Sequence, residues 1–490
     1  MLGHKPPSRD SVSANAGGSS RRGMLVLLCL AQLMVILDIS AVNVALPDLA
    51  KDLAIGAGEL SWTITSYSLV FGSLLLLGGR AADLIGRRRV FLTGLGVFTI
   101  ASVGSALAGS AAAWFAARAG QGLGAALLSP AALSIITTEF RGPERVRALG
   151  AWGAIGGAGA AIGVLMGGLL TQLIDWRAIF LINLPVGLIV AMGAVQVIPA
   201  DRLRANWRRL DLRGALLATA SVGSLVFAFS QAESAGWTSA QTIGLIGAGL
   251  AGLVSFAMSE RSVALPLLRV ERLADRAIGG GFVMMLAATA VLFGSFLLSS
   301  LYLQEVLGAS ALVTGLGFLP FALATAAGVH VATHVIRQRG VRAPLAGGFA
   351  VAGAGMFLLT GVSARGSYLG DLLPGMVIAG VGLGVVIVSV AFSVLSGARE
   401  EEAGMLSGLN TTGHEVGGSI GLAVLTTIAA GSLGHAHGPA ATLASSNGIG
   451  NAFLAAGIIA AVASLAAAVI LPAAKHFLPR LELAPPITVH

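Results

Sequence analysis

At 490 residues, with 56% hydrophobic and only 11% charged side chains, the chain departs from soluble domains, in which about a quarter of residues are charged. A net charge of +8 would suit a nucleic-acid binder, but the arginines stand in short gaps between apolar runs and not along one face, so nucleic acid is excluded as a partner. The single cysteine, Cys29, leaves no internal disulfide.

Residues 1–23 are polar and rich in Ser and Gly, and predict a disordered tail. The apolar run after them lacks a small-residue cleavage site and reads as a retained first span, not a signal peptide. Fourteen membrane-spanning helices follow, near 24–46, 60–79, 90–109, 112–136, 148–171, 178–199, 212–231, 240–259, 277–300, 312–333, 344–362, 371–396, 405–430 and 451–472. Each approaches the roughly 20 apolar residues that cross a bilayer. Barrel strands would alternate polar and apolar residues over about ten positions, and these runs do not.

The basic residues test that count. Lys5, Arg9, Arg21 and Arg22 precede the first span. Alternate gaps then hold Arg80/Arg87/Arg88/Arg89, Arg141/Arg145/Arg147, Arg202/Arg204/Arg208/Arg209/Arg213, Arg261/Arg269/Arg272/Arg276, Arg337/Arg339/Arg342 and Arg399, and the tail holds Lys475 and Arg480. Of the 30 basic residues only Lys51, Arg118, Arg177 and Arg365 fall elsewhere. The asymmetry predicts an even number of spans with both termini in the cytoplasm, in the cell's inner membrane. The gap Ile336–Arg342, "IRQRGVR", is a shorter version of the gap after the second span, so spans 9–14 repeat spans 1–6 and spans 7–8 are inserted. The expected organisation is a tail (1–23), a six-helix bundle (24–199), an inserted pair with flanking loops (200–276), a second six-helix bundle (277–472) and a tail (473–490). Two bundles around a central cavity are a common transporter plan.

The gap after the second span, "GGRAADLIGRRRVFLTG" (Gly78–Gly94), concentrates charge in so apolar a chain. Orientation alone accounts for positive charge there, Arg88 and Arg89 especially, but Asp83 contributes little to orientation. Gly79, Asp83 and Gly86 followed by Arg87 and Arg88 predict a tight turn. In it Asp83 would accept hydrogen bonds from an arginine or from a neighbouring helix N-terminus. Such a contact would act as a conformational latch.

"GRAADLIGRRR" resembles the signature turn of the major facilitator superfamily. "LDISAVNVALP" (Leu37–Pro47), "RAGQGLGAALLSPA" (Arg118–Ala131), "WRAIFLINLPVG" (Trp176–Gly187) and "YLQEVLGASALVTGLGFLP" (Tyr302–Pro320) are similar to further motifs of its fourteen-helix drug:proton antiporter branch. The resemblance spans residues 24–472 and implies an all-α membrane protein with the major facilitator fold, two six-helix bundles plus two inserted helices. It departs at Leu84, where that branch often carries a second basic residue. It departs again in the fifth span: Gly150, Gly159, Gly163, Gly167 and Gly168 match the antiporter motif, but Val164 stands where a proline is expected. Without that kink-forming residue the helix should run straighter, with its glycine face free for close packing.

Ionisable residues inside spans carry the functional reading. A carboxylate at bilayer depth costs on the order of 2.5–3.5 kcal/mol on insertion scales and so faces a partner or a cavity. Asp38 lies roughly 21 Å into the first span and Arg118 roughly 9 Å below the outer end of the fourth. The two therefore share a depth and predict a proton- or substrate-linked network, with a static ion pair as the alternative. Glu415, halfway along the thirteenth span beside His414, is the second acid. Both acids are expected to face water in a central opening. Asn43, Gln121 and Asn410, with Gln32 and Asn183, are polar enough to line it, though interhelical hydrogen bonds also explain them.

No P-loop, dinucleotide site, zinc cluster or catalytic triad is present in the sequence, so neither an enzyme nor a cofactor is expected, and a proton gradient is the expected energy source. The leading reading is a monomeric exporter of hydrophobic drugs or antibiotics, cationic or not, in exchange for protons. A facilitator or an exporter of one endogenous metabolite without proton coupling is the alternative. A receptor or scaffold would not need the buried acids.

Overall fold

The computed structural model describes residues 9–55, 60–201, 211–263, 266–395, 398–430, 439–474 and 477. Lys5, Arg202, Arg204, Arg208, Arg209, Lys475 and Arg480 lie outside them. Sixteen α-helices occur among the described residues, and no strand. They are α1 (Arg9–Asp52), α2 (Leu60–Ile85), α3 (Arg87–Leu107), α4 (Ala111–Glu139), α5 (Gly142–Leu173), α6 (Arg177–Leu181), α7 (Asn183–Val197) and α8 (Leu212–Ala235). The rest are α9 (Ala240–Glu260), α10 (Ile278–Leu301), α11 (Ala311–Gly317), α12 (Leu319–Arg339), α13 (Arg342–Leu359), α14 (Leu373–Leu395), α15 (Ala403–Ala430) and α16 (Pro439–Ile470).

Each predicted span has a counterpart. The sixth is divided at Ile182 into α6 and α7, and the tenth at Phe318 into α11 and α12, with Pro320 in the first turn after that break, where its missing N–H costs nothing. Wide π-type turns extend α10 over Tyr302–Val306 and precede α14 over Tyr368–Leu372. At the other end, α1 begins at Arg9, inside the stretch read as a tail. Among the described residues twelve helical stretches are long and apolar enough to cross a membrane. Outside that set, among the described residues, are α5, with a shorter apolar stretch at Ile162–Leu173, and α15, diluted by Asn410, Thr411, Thr412, His414 and Glu415.

Helix pairing repeats along the chain. In the first half α1 packs on α5 and α7, while α4 receives α2 and α3, and α3 also meets α7. In the second half α10 packs on α15 and α16, while α14 receives α12 and α13, and α13 also meets α16. Span for span these are the same contacts, as an internal duplication of six helices requires. The halves meet along two seams, α2 with α15 and α5 with α12. The inserted pair, α8 and α9, packs on itself, and α8 lies across the α2–α15 seam. Asp211 caps α8 by accepting from the Gly214 N–H at 2.9 Å, and Ser239 caps α9 by accepting from the Thr242 N–H at 3.1 Å. Trp237, in the short turn between them, donates to Thr427 on α15 at 2.8 Å. Large apolar side chains such as Leu188, Met192, Leu250, Val254 and Leu465 stay exposed around the bundle, as a lipid-facing surface requires.

Candidate functional site

Asp38, midway along α1, is 1% exposed and tied to two other helices, α4 and α7. Arg118 on α4 donates Nη1 to its Oδ2. Gln121, one turn on along the same face of α4, donates Nε2 to Oδ1 at 2.8 Å. Asn183, the first residue after the break between α6 and α7, donates Nδ2 to the same oxygen at 3.2 Å. A second layer holds these partners. Gln121 accepts from Arg118 at 2.9 Å and from Ser105 on α3 at 3.0 Å, and Asn183 also donates to Ser102 at 2.9 Å. A buried ion pair offsets its desolvation only when its remaining hydrogen-bonding capacity is met, and this carboxylate meets it with three donors. The expectation that Asp38 faces water fails in this conformation, because those donors occupy both oxygens. Aromatic rings surround the guanidinium, with Tyr67 (α2) at 4.5 Å, Trp114 (α4) at 5.7 Å and Phe180 (α6) at 5.8 Å from ring centre to Cζ. Rings this close attract a desolvated cation through their quadrupoles.

Glu415 on α15 is placed differently. Its side chain remains 16% exposed, and its Oε1 lies 3.1 Å from His414 Nδ1. The His414 ring stands edge-on to Phe293 with centres 5.2 Å apart. Glu415 abuts Gly72 of α2, where an added Cβ would come within 3.8 Å of its own Cβ, so it lies on the seam between the halves. Asp38 and Glu415 therefore belong to opposite halves, one sealed and one partly open. Asn410, also on α15, is buried with its Oδ1 unpartnered among the described residues. The side chain of Asn43 lies outside the described residues.

The predicted turn joins the halves at the arginine-rich end. Asp83, near the end of α2, accepts from the Gly404 N–H at 2.8 Å and the Met405 N–H at 2.9 Å, the first amides of α15. Those amides are unsatisfied at a helix start and carry the positive end of its dipole. Gly79, one turn earlier, presses against the Gly404 carbonyl and leaves no room for a Cβ. Gly86 has φ +122°, a conformation that glycine adopts freely. Arg87 lies 3.7 Å from Asp83 and donates to Ser134 of α4 at 2.9 Å. Arg88 does more than orient the chain: it donates to the carbonyls of Val195 at 2.7 Å and Ile198 at 3.1 Å, at the end of α7. In return Asp201 accepts from the Arg88 and Arg89 amides at 3.2 and 3.0 Å and so caps α3.

Two further contacts tighten this end. Arg145 on α5 donates to the Leu395 carbonyl that closes α14. Glu402, just before α15, accepts from Arg269 at 2.9 Å and from Arg272. These arginines lie on the segment after α9, which also places the Arg269 amide 3.4 Å from the Met405 sulfur. The inserted pair is thereby tied to the helix start that Asp83 caps.

The glycines of the fifth span serve α1. An added Cβ at Gly159 would meet Ile36 at 2.8 Å and one at Gly167 would meet Ala41 at 2.8 Å, while Gly163 lies against Ser40. These neighbours flank Asp38, so the stripe presses the acid-bearing turn of α1 into the bundle. Gly150 faces Thr333 of α12 across the seam, and Gly168 is buried. At the position of the absent proline, Val164 is buried within one unbroken helix.

Sequence reasoning joined Asp38 with Arg118 and named Gln121 and Asn183 only as polar residues of the spans, and it did not single out Tyr67, Ser102, Ser105, Asp201, Arg145 or Glu402. The signals available were faint: an aromatic or hydroxyl residue in an apolar run, and charges that served equally well as topology markers.

The sequence profile described as Major Facilitator Superfamily matches residues 28–422. The chain is 40% identical over 442 residues to the puromycin resistance protein pur8 of Streptomyces alboniger, covering 88% of this chain and 87% of that one. It is 40% identical over 408 residues to the cephamycin export protein CmcT of Amycolatopsis lactamdurans, covering 82% and 84%. Among solved structures, the proton:xylose symporter XylE superposes with a TM-score of 0.64 at 15% identity, over 95% of this chain and 99% of that one. At that identity the likeness concerns the fold.

Proposed function

The chain belongs to the major facilitator superfamily, and on that premise we propose that it exports hydrophobic, cationic antibiotics or related drugs in exchange for protons, its two halves rocking about the seams. Relatives named for puromycin resistance and for cephamycin export support antibiotics as the cargo. The observation that carries proton coupling is the sealed Asp38–Arg118 pair. A carboxylate buried this deeply with one counter-ion alters the whole network when it gains a proton. The protonated oxygen then becomes a donor, so Arg118, Gln121 and Asn183 compete for the acceptor that remains, and Arg118 relies more on Gln121 Oε1 and its aromatic neighbours. Glu415, partly exposed on the seam, is placed to take a proton or to meet a cationic substrate.

The closed arginine-rich end is the cytoplasmic end in this reading, so this conformation is sealed toward the cytoplasm. Opening it breaks the bonds of Asp83 and Arg145 across the halves. A proton moving inward through 100 mV supplies about 2.3 kcal/mol, and no cofactor is required.

The test is drug-driven proton release from the purified protein, paired with transport in inverted vesicles across a drug panel with and without a pH gradient. Release on drug addition and gradient-dependent uptake are expected from the parent. Asp38→Asn is expected to lose both while remaining folded and membrane-inserted, as judged by gel filtration. Full gradient-driven uptake by that variant overturns the reading. Uptake indifferent to the gradient in the parent favours a facilitator instead.

A further inference from the structure

Two acids of the inserted pair meet at the arginine-rich end, apart from Asp38 and Glu415. Asp211 precedes α8, and Glu260, 3% exposed, closes α9. One oxygen of each has an ordinary use. Asp211 Oδ1 caps α8 through the Gly214 N–H at 2.9 Å, and Glu260 Oε2 accepts from the Leu268 N–H at 3.0 Å. The other two, Asp211 Oδ2 and Glu260 Oε1, are buried with no hydrogen-bond partner among the described residues. They converge on one spot: an added Cβ at Gly214 would overlap Glu260 Oε1 and come within 2.8 Å of Asp211 Oδ2. The two carboxyls are within hydrogen-bonding reach of each other.

An ionised carboxylate only accepts, so two of them would face each other away from water with nothing between. Like charges sharing a site resist ionising together, and unmet buried acceptors cost free energy. One proton removes both faults by turning one oxygen into a donor to the other. A metal ion fits less well, because a hard cation takes about six oxygens and the two acids offer one free oxygen each. The neighbouring cations are engaged elsewhere. Arg80 of α2 is within electrostatic reach of Glu260 but divides its field among Asp83, Glu260 and Glu402. Arg269 and Arg272 of the segment after α9 bond Glu402. Arg213 and Arg261, beside the two acids in sequence, are exposed.

We propose that Asp211 and Glu260 bind one proton between Oδ2 and Oε1, a site separate from the transport acids that clasps the start of α8 to the end of α9. The proton comes from water at the arginine-rich face and returns there, and no other bond is made or broken. Its release leaves two like charges that push the helix ends apart. Glu260 also holds the Leu268 amide, and the next residue, Arg269, holds Glu402 just before α15. Release therefore loosens the segment that ties the inserted pair to the seam. The site stands whether or not the two halves exchange protons for drug.

The test is infrared spectroscopy of the full-length purified protein at about pH 6, where an ordinary glutamate is ionised, with unfolding scans from about pH 6 to 9. The parent is expected to show a protonated-carboxyl band that Asp211→Asn and Glu260→Gln each remove, since either amide supplies the missing donor and leaves the remaining acid ionised. Asparagine caps a helix as aspartate does, and glutamine keeps an oxygen for Leu268, so both variants should fold. A proton held by the folded pair and given up by the unfolded chain adds stability that is lost as pH rises through its release. The parent's unfolding temperature is therefore expected to fall by about 2 °C or more relative to either variant across that range. The absence of a band that both variants remove, or parallel scans for parent and variants, overturns the proposal. A parent without the band that magnesium chloride stabilises, while leaving both variants unmoved, overturns it in favour of a metal site.

Discussion

At Glu402 two opposing effects meet. Burial alone would raise its carboxyl pKa, but the guanidiniums of Arg272 and Arg269 outweigh burial and hold it below the usual glutamate range. A carboxylate with a depressed folded pKa contributes stability that is present above its ordinary value and is lost as pH falls through the folded value. Glu402→Gln is therefore expected to unfold at a lower temperature than the parent at pH 7. The difference should shrink as pH drops below the ordinary glutamate range, because the parent then loses the same charge. Unfolding scans from pH 7 to 3 check this, and a gap that persists unchanged at the acid end contradicts it. Arg145 shows the converse: burial alone lowers its guanidinium to about 10, still charged at neutral pH.

Residue-level readings were uneven for a physical reason. Asp38 and Arg118 were legible because a charge inside a lipid-spanning run must be neutralised, and counting 1.5 Å per residue places both at one depth. Tyr67 was not, since a tyrosine in a membrane span looks like packing until the rotation of α2 turns it toward the cation. Asp201 and Glu402 were lost among loop charges, because partners more than 100 residues away in sequence are set by how helices end and not by local spacing.

Among the elements, the α2–α15 seam depends on a small residue. The Gly404 carbonyl fills the place where a side chain at Gly79 would begin. Gly79→Val should push α15 away and cost Asp83 its two amide donors, each charge-assisted bond worth about 1.5–3 kcal/mol. In a Cys29→Ser background, Met405→Cys is expected to react slowly with a thiol reagent, being 1% exposed in the parent residue. Adding Gly79→Val should speed that labelling about tenfold or more, since 1.4 kcal/mol is a factor of ten. Equal rates would mean that the seam tolerates the bulk. Existence and order of the helices were readable from apolar runs of bilayer length. The breaks at Ile182 and Phe318 were not, although Pro320 is a local cue for the second. Pro185, in the first turn of α7, is the matching cue for the first, while the turn of Asn183 inward to Asp38 emerges only in the assembled bundle.

For the molecule as a whole, the alternating arginines predict which loops share a side. In a Cys29→Ser background, a cysteine at Thr238, in the turn between α8 and α9, should react with an impermeant maleimide in intact cells. One at Ser262, just past α9, should react only after permeabilisation. Both positions are exposed. The reverse pattern would invert the molecule and with it the direction of transport proposed here. The duplication was visible in sequence as the echo of Gly78–Gly94 in Ile336–Arg342, and the repeated pairing of helices is its three-dimensional form.

That echo is incomplete, since "IRQRGVR" contains no carboxylate and offers no counterpart of Asp83. Both turns stand at the arginine-rich end, so a second acid would have gripped the same closed arrangement and its absence leaves Asp83 as the acid of this repeated pair that holds a helix start there. In the proposed cycle that single grip weights an unloaded molecule toward a shut arginine-rich door. Under the proposed export cycle, that bias works like a spring-loaded valve: an unloaded carrier stays closed to the cell's own solutes and spares the cell a standing leak.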